Sequence, residues 1–271
     1  MNKLLKALIP VSAAAGLVLF AVAPGRADEE KKAPFLGRNI AHRGLHKIDR
    51  SIPENSLAAF SAAVGRGYGI ELDVHLTADD ALVVFHDDDM KRMCGVDARL
   101  EDLSYDYIRT LSLAGTDQHP PLLGDVLELV DGKTPIILEV KRGKRNARLC
   151  ALIREALLSY TGDVCIESFD PTIVRWWRRN APEMLRGQLA CRDEAPEMGK
   201  VKSFLLSNLL LNFLGRPQFI AYGICEKKSV FVRLCEKLGA MKVAWTSHSW
   251  ANEENNDTVI FEFYRPRTKY K

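Results

Sequence analysis

Eight short runs rich in Val and Ile recur along this chain, with helical stretches between most of them, and that rhythm commits it to a parallel sheet wrapped by helices. The runs are Asn39–His42, Ile70–Leu76, Pro135–Val140, Val164–Ser168, Arg186–Ala190, Phe219–Ile224, Lys242–Thr246 and Val259–Phe263. Apolar residues at helical spacing mark Ser56–Gly65, Leu123–Val130, Asn146–Leu158, Pro171–Arg179, Phe204–Leu214 and Val230–Leu238 between them. The pattern predicts an α/β chain folded as a (β/α)8 TIM barrel, which typically needs about 250 residues. Three connections depart from the rhythm. Leu82–His86 reads as an extra short strand, residues 87–121 carry only a weak helical pattern at Tyr105–Leu111, and Ser247–Asp257 is too short and polar for a full helix. Irregular loops at one end of a barrel are where sites are built.

Residues 1–27 stand outside this pattern. Lys3 and Lys6 precede Ala7–Gly25, which runs 19 residues without a charge. At a rise of about 1.5 Å per residue that nearly matches a hydrocarbon core of about 30 Å. Two readings stay open: a membrane anchor, or a signal peptide cleaved before Asp28 behind the small residues Gly25 and Ala27. The expected division is a signal or anchor at 1–27, a charged stalk at 28–38 and the barrel at 39–271. Lys3 and Lys6 ahead of the apolar run favour an inside N-terminus and a barrel exported or held outside the membrane.

The first 27 residues hold three of the 38 basic residues and none of the 35 acidic ones, so the remainder is electrically balanced. Balance argues against a nucleic-acid partner, whose binding rests on excess positive charge, and leaves small charged substrates or lipid head groups. The six cysteines show no zinc-ligand spacing and read as small buried hydrophobes; in an exported domain an even count also fits disulfides.

Side chains two apart on a strand share a face, so Glu71 and Asp73 in GIELDVHL project together, as do Glu139 and Lys141 in IILEVK. Carboxylates in apolar strands are costly unless paired or bound to metal. Three of them from neighbouring strands describe an oxygen-only site for one divalent cation, Mg2+ or Ca2+. The plain alternative is a set of structural ion pairs. His42 and Arg43 end the first strand, and His86 ends the short extra one. Two imidazoles there could serve as general acid and base, and Arg43 and Lys141 could stabilise charge on phosphoryl oxygens.

These residues lie in a recognisable series. AHRG at 41–44, PENS at 53–56 followed by LAAF, IELDV at 70–74, VVFHD at 83–87 and LEVK at 138–141 resemble, in order and spacing, the motifs of glycerophosphodiester phosphodiesterases, within the phosphatidylinositol-phosphodiesterase-like barrel superfamily. ESFDP at 167–171, VAWT at 243–246 and DTVIFEFY at 257–264 are similar to that family's later strands. The resemblance covers Asn39 to Tyr264. It implies one divalent cation on Glu71, Asp73 and Glu139, His42 and His86 as acid and base, and phosphate contacts from Arg43 and Lys141. It also implies attack by the hydroxyl beside the phosphodiester, a cyclic phosphate opened by water, and release of glycerol 3-phosphate and an alcohol. Three features depart from the family pattern. Ser56 stands where threonine is common, and Glu167 where glutamine is common. No closing helix follows the eighth strand before Lys271, so closure is expected to lean on the stalk or the membrane.

Trp245, at a strand end, and Glu167, near the rim, are expected to line the substrate pocket. Trp176 and Trp177 read as packing residues, and of Asp87, Asp88 and Asp89 only the first is placed to orient His86. The unusually apolar segment Phe204–Leu214 keeps a lysophospholipid or sphingolipid substrate open beside a water-soluble glycerophosphodiester, with membrane contact through the N-terminal segment. A binding protein that had kept the barrel and lost its chemistry would lack some of these side chains. All are present.

Overall fold

The computed structural model describes residues 15–191, 199–224 and 228–271. Strand β1 (Arg38–Ala41) pairs in parallel with β2 (Gly69–Leu76) on one side and β9 (Thr258–Phe261) on the other. From β2 the sheet continues through β4 (Ile136–Val140), β5 (Val164–Ser168), β6 (Arg186–Ala190), β7 (Phe219–Gly223) and β8 (Met241–Ser247) to β9. The ring of eight parallel strands is therefore closed. β3 (Leu82–Val84) is an antiparallel addition to the end of β2.

The helices are α1 (residues 15–22), α2 (Glu29–Lys32), α3 (Leu57–Val64), α4 (Lys91–Cys94), α5 (Tyr105–Ile108), α6 (Leu123–Val130), α7 (Asn146–Leu157), α8 (Pro171–Asn180), α9 (Lys200–Ser207), α10 (Asn212–Gly215) and α11 (Val230–Lys237). Short polar side chains fix several starts by accepting an otherwise orphaned N–H. Ser56 Oγ accepts from Ala59 N at 3.1 Å, and Asp170 from Thr172 N at 2.8 Å with Pro171 in the first turn. One expected helix is corrected. The run Phe204–Leu214 is two helices, because buried Leu209 takes a left-handed φ of 57° and ends α9 before α10 begins. With apolar residues on nearly every face, the run offered no periodicity in which that break could show.

Alternation along the strands sorts the side chains. Ile70, Leu72, Val74 and Leu138 face outward and pack with Phe60 of α3, Val126 of α6 and Ile153 of α7. Phe35, Ile40, Ile137, Cys165, Phe219, Met241 and Ile260 fill the barrel interior. Gly187 makes room for this plug, since a Cβ there would lie 2.0 Å from the Phe219 ring. Later positions on β2, β4 and β5 carry polar side chains inward, above the apolar plug.

Residues 1–14 of the expected signal or anchor lie outside the described residues, and among the described residues no helix is long and apolar enough to cross a membrane. The following stretch packs on the barrel. The Arg216 guanidinium donates to Phe20 O and Ala23 O, both at 2.8 Å, and Gly25 N donates to Pro217 O at 2.9 Å. Residues 28–38, expected as a charged stalk, form α2 and then bury Phe35, whose carbonyl accepts from Thr258 Oγ1 at 2.8 Å. The C-terminal stretch joins it, with Tyr270 N donating to Gly37 O at 2.8 Å.

Cys94, Cys150, Cys165 and Cys235 are free thiols, and burial pushes Cys150 and Cys235 up to about 12. Cys225 lies outside the described residues.

Candidate active site

The C-terminal end of β1 turns sharply over the mouth of the barrel. Arg43 and Gly44 both adopt positive φ, 52° and 78°, and a Cβ on Gly44 would lie 2.8 Å from the Ala59 backbone. The turn aims the Arg43 N–H at Glu71 Oε2, 2.9 Å away. The Arg43 side chain reaches Glu54 Oε1 at 2.7 Å and lies 3.6 Å from Asp73 Oδ2.

Glu71 and Asp73 project from β2, and Glu139 from the adjacent position on β4, cross-strand from Asp73. All three are buried, and one oxygen from each lies within 4.8 Å of the others. Lys141 Nζ sits 3.2 Å from Asp73 Oδ1 and 2.9 Å from Glu139 Oε1. Asn55 Nδ2 donates to Asp73 Oδ2 at 2.8 Å. Burial, then repulsion from Asp73, Glu167 and Glu139, pushes the Glu71 carboxyl well above the usual range. Burial pushes at Asp73 too, but Lys141, His86 and Arg43 hold it well below. Burial raises Glu139 against the opposing pull of Lys141. Glu167 stands beside Glu139 on β5, 1% exposed, its Oε2 without a hydrogen-bond partner and its carboxyl raised well above normal by burial and by Glu139.

This donor set fits a hard cation. It is all oxygen, its acids outnumber the two cations Arg43 and Lys141, and the burial and mutual repulsion that raise the Glu71 pKa are what a divalent ion would relieve. Among the described residues it is the one cluster of this kind.

The two expected histidines flank the carboxylates. His42 Nε2 lies 3.9 Å from Glu71 Oε2, and its Nδ1 is 2.8 Å from Glu262 Oε1. Burial lowers the His42 pKa, and Glu262 partly restores it. His86 Nδ1 is 2.7 Å from Asp87 Oδ1, while Asp88 and Asp89 are exposed. Arg92 binds Asp87 at 2.6 and 3.0 Å and Glu54 at 2.7 and 2.9 Å. Burial works against the Glu54 charge, but Arg92 and Arg43 bring its pKa down to about 2. One chain of contacts thus links His86 through Asp87, Arg92 and Glu54 to Arg43.

The structure therefore brings His42, Arg43, Glu71, Asp73, His86, Glu139 and Lys141 to one end of the barrel. Trp245 packs edge to face on Phe169 at 5.5 Å, and that ring lines a cavity of about 380 Å³ which Glu139 and Lys141 also line. Glu54, Asn55, Arg92 and Glu262 join the site without having been singled out for it. Glu262 had the same signal as Glu139, an acid two residues past an inward apolar side chain, Ile260 for the one and Ile137 for the other.

The family model for the glycerophosphoryl diester phosphodiesterase family matches residues 42–262. The chain belongs to that family. Its fold is shared with a Silicibacter pomeroyi glycerophosphoryl diester phosphodiesterase, described as putative, at a TM-score of 0.67 and 21% identity over 90% of this chain and 93% of that one. An Oleispira antarctica phosphodiesterase in complex with the product sn-glycerol-3-phosphate also aligns at 0.67, with 20% identity over 84% of this chain and 93% of the other. The glycerophosphodiester phosphodiesterase of Caldanaerobacter subterraneus is 34% identical over 164 residues, 55% of this chain and 65% of that relative. The rat lysophospholipase D GDPD1 is 37% identical over 131 residues, 44% of this chain and 40% of that protein. The chain spans less than two thirds of the length of these curated relatives. The family motifs AHRG, PENS, IELDV and VVFHD fall on the turn, cap and strands that build the site.

Proposed function

We propose that this chain hydrolyses glycerophosphodiesters to glycerol 3-phosphate and an alcohol, with one divalent cation, Mg2+ or Ca2+, held by Glu71, Asp73 and Glu139. The observation that carries the reading is the convergence of three buried carboxylates between two histidines, each with its own carboxylate partner. A bound cation would supply positive charge to a phosphoryl oxygen. Arg43 and Lys141 lie beside the triad and would hold the remaining phosphoryl oxygens, Arg43 by its fork and Lys141 as a point charge.

Glu262 accepts from Nδ1 of His42, which fixes the tautomer and leaves Nε2, on the Glu71 side, free to accept a proton. Its lowered pKa keeps His42 neutral at pH 7. His42 is therefore the base, taking the proton of the glycerol hydroxyl that attacks phosphorus. His86, oriented by Asp87, is the acid that protonates the departing alcohol. The roles then reverse as water opens the cyclic phosphate. Residues 1–27 export the barrel or hold it at a membrane in this reading; the partition of the full chain between membrane and soluble fractions checks that.

The same chemistry would cleave a lysophospholipid, the activity that the name of the rat relative states for that protein, or a sphingolipid. The test is alcohol release from glycerophosphocholine, glycerophosphoethanolamine and glycerophosphoinositol with Mg2+, Ca2+ or chelator. Metal-dependent release that His42→Ala and Glu71→Ala abolish supports the reading, and near-normal turnover in either variant defeats it.

A further inference from the structure

A second imidazole stands behind His42. Arg43 and Gly44 take positive φ and Gly44 N donates to Ala41 O at 3.1 Å, so the chain doubles back and brings His46 against the residue four positions before it. His46 Nδ1 lies 3.1 Å from His42 O and 3.3 Å from Gly44 O. Both oxygens are carbonyls and only accept, which puts a proton on Nδ1 and leaves Nε2 to face the other way. Nε2 is 3.5 Å from Oε1 of Glu262, the same oxygen that Nδ1 of His42 reaches at 2.8 Å. One carboxylate oxygen therefore sits between the imidazole beside Glu71 and the one behind it. Burial raises the Glu262 pKa, and His42 and then His46 bring it below the usual value. The His46 side chain is only 7% exposed, and the Phe263 ring packs edge-on against it at 5.0 Å. Phe263 reaches that place through a left-handed φ of 58°, a conformation that a bulky side chain keeps only where its surroundings over-determine it. It follows Glu262 directly, so one stretch of backbone both delivers the carboxylate to the two histidines and covers the second of them.

We propose that His46 is a positioning residue: it holds the Glu262 carboxylate from behind, so that Oε1 stays on Nδ1 of His42 and Nε2 of His42 stays aimed at the attacking hydroxyl. The inference rests on the phosphodiesterase reading, in which His42 is the base, and adds to it a residue that acts through Glu262 rather than on the substrate. A carboxylate with a single partner keeps the freedom to turn about its own side-chain bonds. A second donor on its far side removes that freedom, and fixing an active ring through its partner is what orienting groups contribute.

Substitutions at His46 separate holding the carboxylate from filling the turn. The amide nitrogen of glutamine reaches about as far as Nε2 and that of asparagine about as far as Nδ1, so His46→Gln keeps a donor for Glu262 and His46→Asn keeps one for the His42 and Gly44 carbonyls. His46→Phe keeps a ring against Phe263 and no donor. The experiment measures choline release from glycerophosphocholine by the full chain with Mg2+ or Ca2+, with the folded fraction of each variant fixed by circular dichroism. His46→Phe and His46→Asn should lower kcat about tenfold with KM unchanged, and His46→Gln should recover most of that loss. Adding His46→Phe to Glu262→Gln should cost less than about twofold more, because the carboxylate it acts through is already gone. Unchanged kcat in His46→Phe, recovery by Asn rather than Gln, or losses that multiply in full in the double variant would each overturn the role. Absence of turnover in the unsubstituted chain defeats the phosphodiesterase reading instead. The positioning is then decided by nitrogen NMR of the His42 ring: a single Nδ1–H tautomer that becomes a mixture in His46→Phe upholds it, and a tautomer indifferent to His46 overturns it.

Discussion

Nδ1 of His42, at the end of β1, lies 2.8 Å from Oε1 of Glu262, just past the end of β9, so residues 220 positions apart form one unit across the seam where the barrel closes. A carboxylate there holds the ring and raises its pKa against the lowering effect of burial. Glu262→Gln should lower kcat by about 10- to 100-fold with little change in KM, less than the roughly 100- to 10,000-fold expected for loss of the histidine itself. The pH profile separates positioning from bulk structure. With the carboxylate gone the His42 pKa falls further, so the acidic limb of kcat/KM moves to lower pH; an unmoved limb would reject the role.

A divalent cation on the proposed triad should stabilise the fold most at neutral and higher pH. Glu71 and Glu139 have folded-state pKa values above the unfolded value of 4.5. Their contribution to stability is present below that value and is lost as pH rises through the folded values. A cation that lets them ionise reverses the loss. Mg2+ or Ca2+ at a hundred times its Kd should add about 2.7 kcal/mol at pH 7.5 and much less at pH 5. Thermal melts at both pH values, with and without chelator, measure this, and equal shifts would count against the triad as the site.

Arg92 is predicted to matter to both histidine positioning and acid stability. Arg92→Ala removes the hydrogen bonds to Asp87 and Glu54. Ion-assisted bonds are worth about 1.5–3 kcal/mol, and the partial exposure of Arg92 reduces the expected cost to about 1 kcal/mol. Glu54 has its pKa lowered to about 2 from 4.5, so the stability it contributes is present above 4.5 and is lost as pH falls toward 2. The melting difference between wild type and variant should be full at pH 7 and should shrink as pH falls toward 2 and Glu54 takes up its proton, while the contacts with Asp87 persist. kcat should fall severalfold because Asp87 loses the arginine that fixes it.

Phe35 should behave as a barrel residue although it lies in what reads as a polar stalk. It is 1% exposed among Ile40, Phe219, Met241 and Ile260. Phe35→Ala should cost about 3–5 kcal/mol. A chain beginning at Pro34 should also melt lower, because it loses the contacts of Arg216 and Pro217 with residues 20–25. An unchanged melting temperature in both would show that the segment is not needed for closure.

The parts of this molecule legible in its sequence are those whose cause is local. Strands β5 and β6 and helix α6 match their expected ranges because alternation, apolar periodicity and a flanking turn all act within about ten residues. Glu71, Asp73 and Glu139 stood out because an acid inside an apolar strand contradicts its surroundings. Asn55 and Glu54 did not, since they lie in a turn where polar residues are expected; only the fold shows Asn55 bonded to Asp73 and Glu54 gripped by two arginines. Arg92 belongs to a connection with almost no periodicity, held by its own cluster of Phe85, Met90, Met93 and Leu100. The burial of Phe35 follows from tertiary closure, which outweighs the polarity of its neighbours.

Glu167 gives the sharpest test of the charge distribution. Its carboxyl is buried beside Glu139, one oxygen lacks a partner, and burial with the Glu139 and Asp73 charges raises its pKa well above 4.5. That direction favours the protonated form, and a protonated glutamic acid and a glutamine have nearly the same shape and no charge. Glu167→Gln should leave metal dependence intact and activity within a factor of a few. The raised pKa means that the native glutamate contributes stability below 4.5 and loses it as pH rises through the folded value, so the variant should be at least as stable at pH 8. Glu167→Ala should do worse than Gln, because it leaves a hole beside Glu139. A loss of activity beyond about 100-fold in Glu167→Gln, the scale of removing a group that acts in the chemistry, would mean that Glu167 is ionised and serves as a fourth carboxylate ligand.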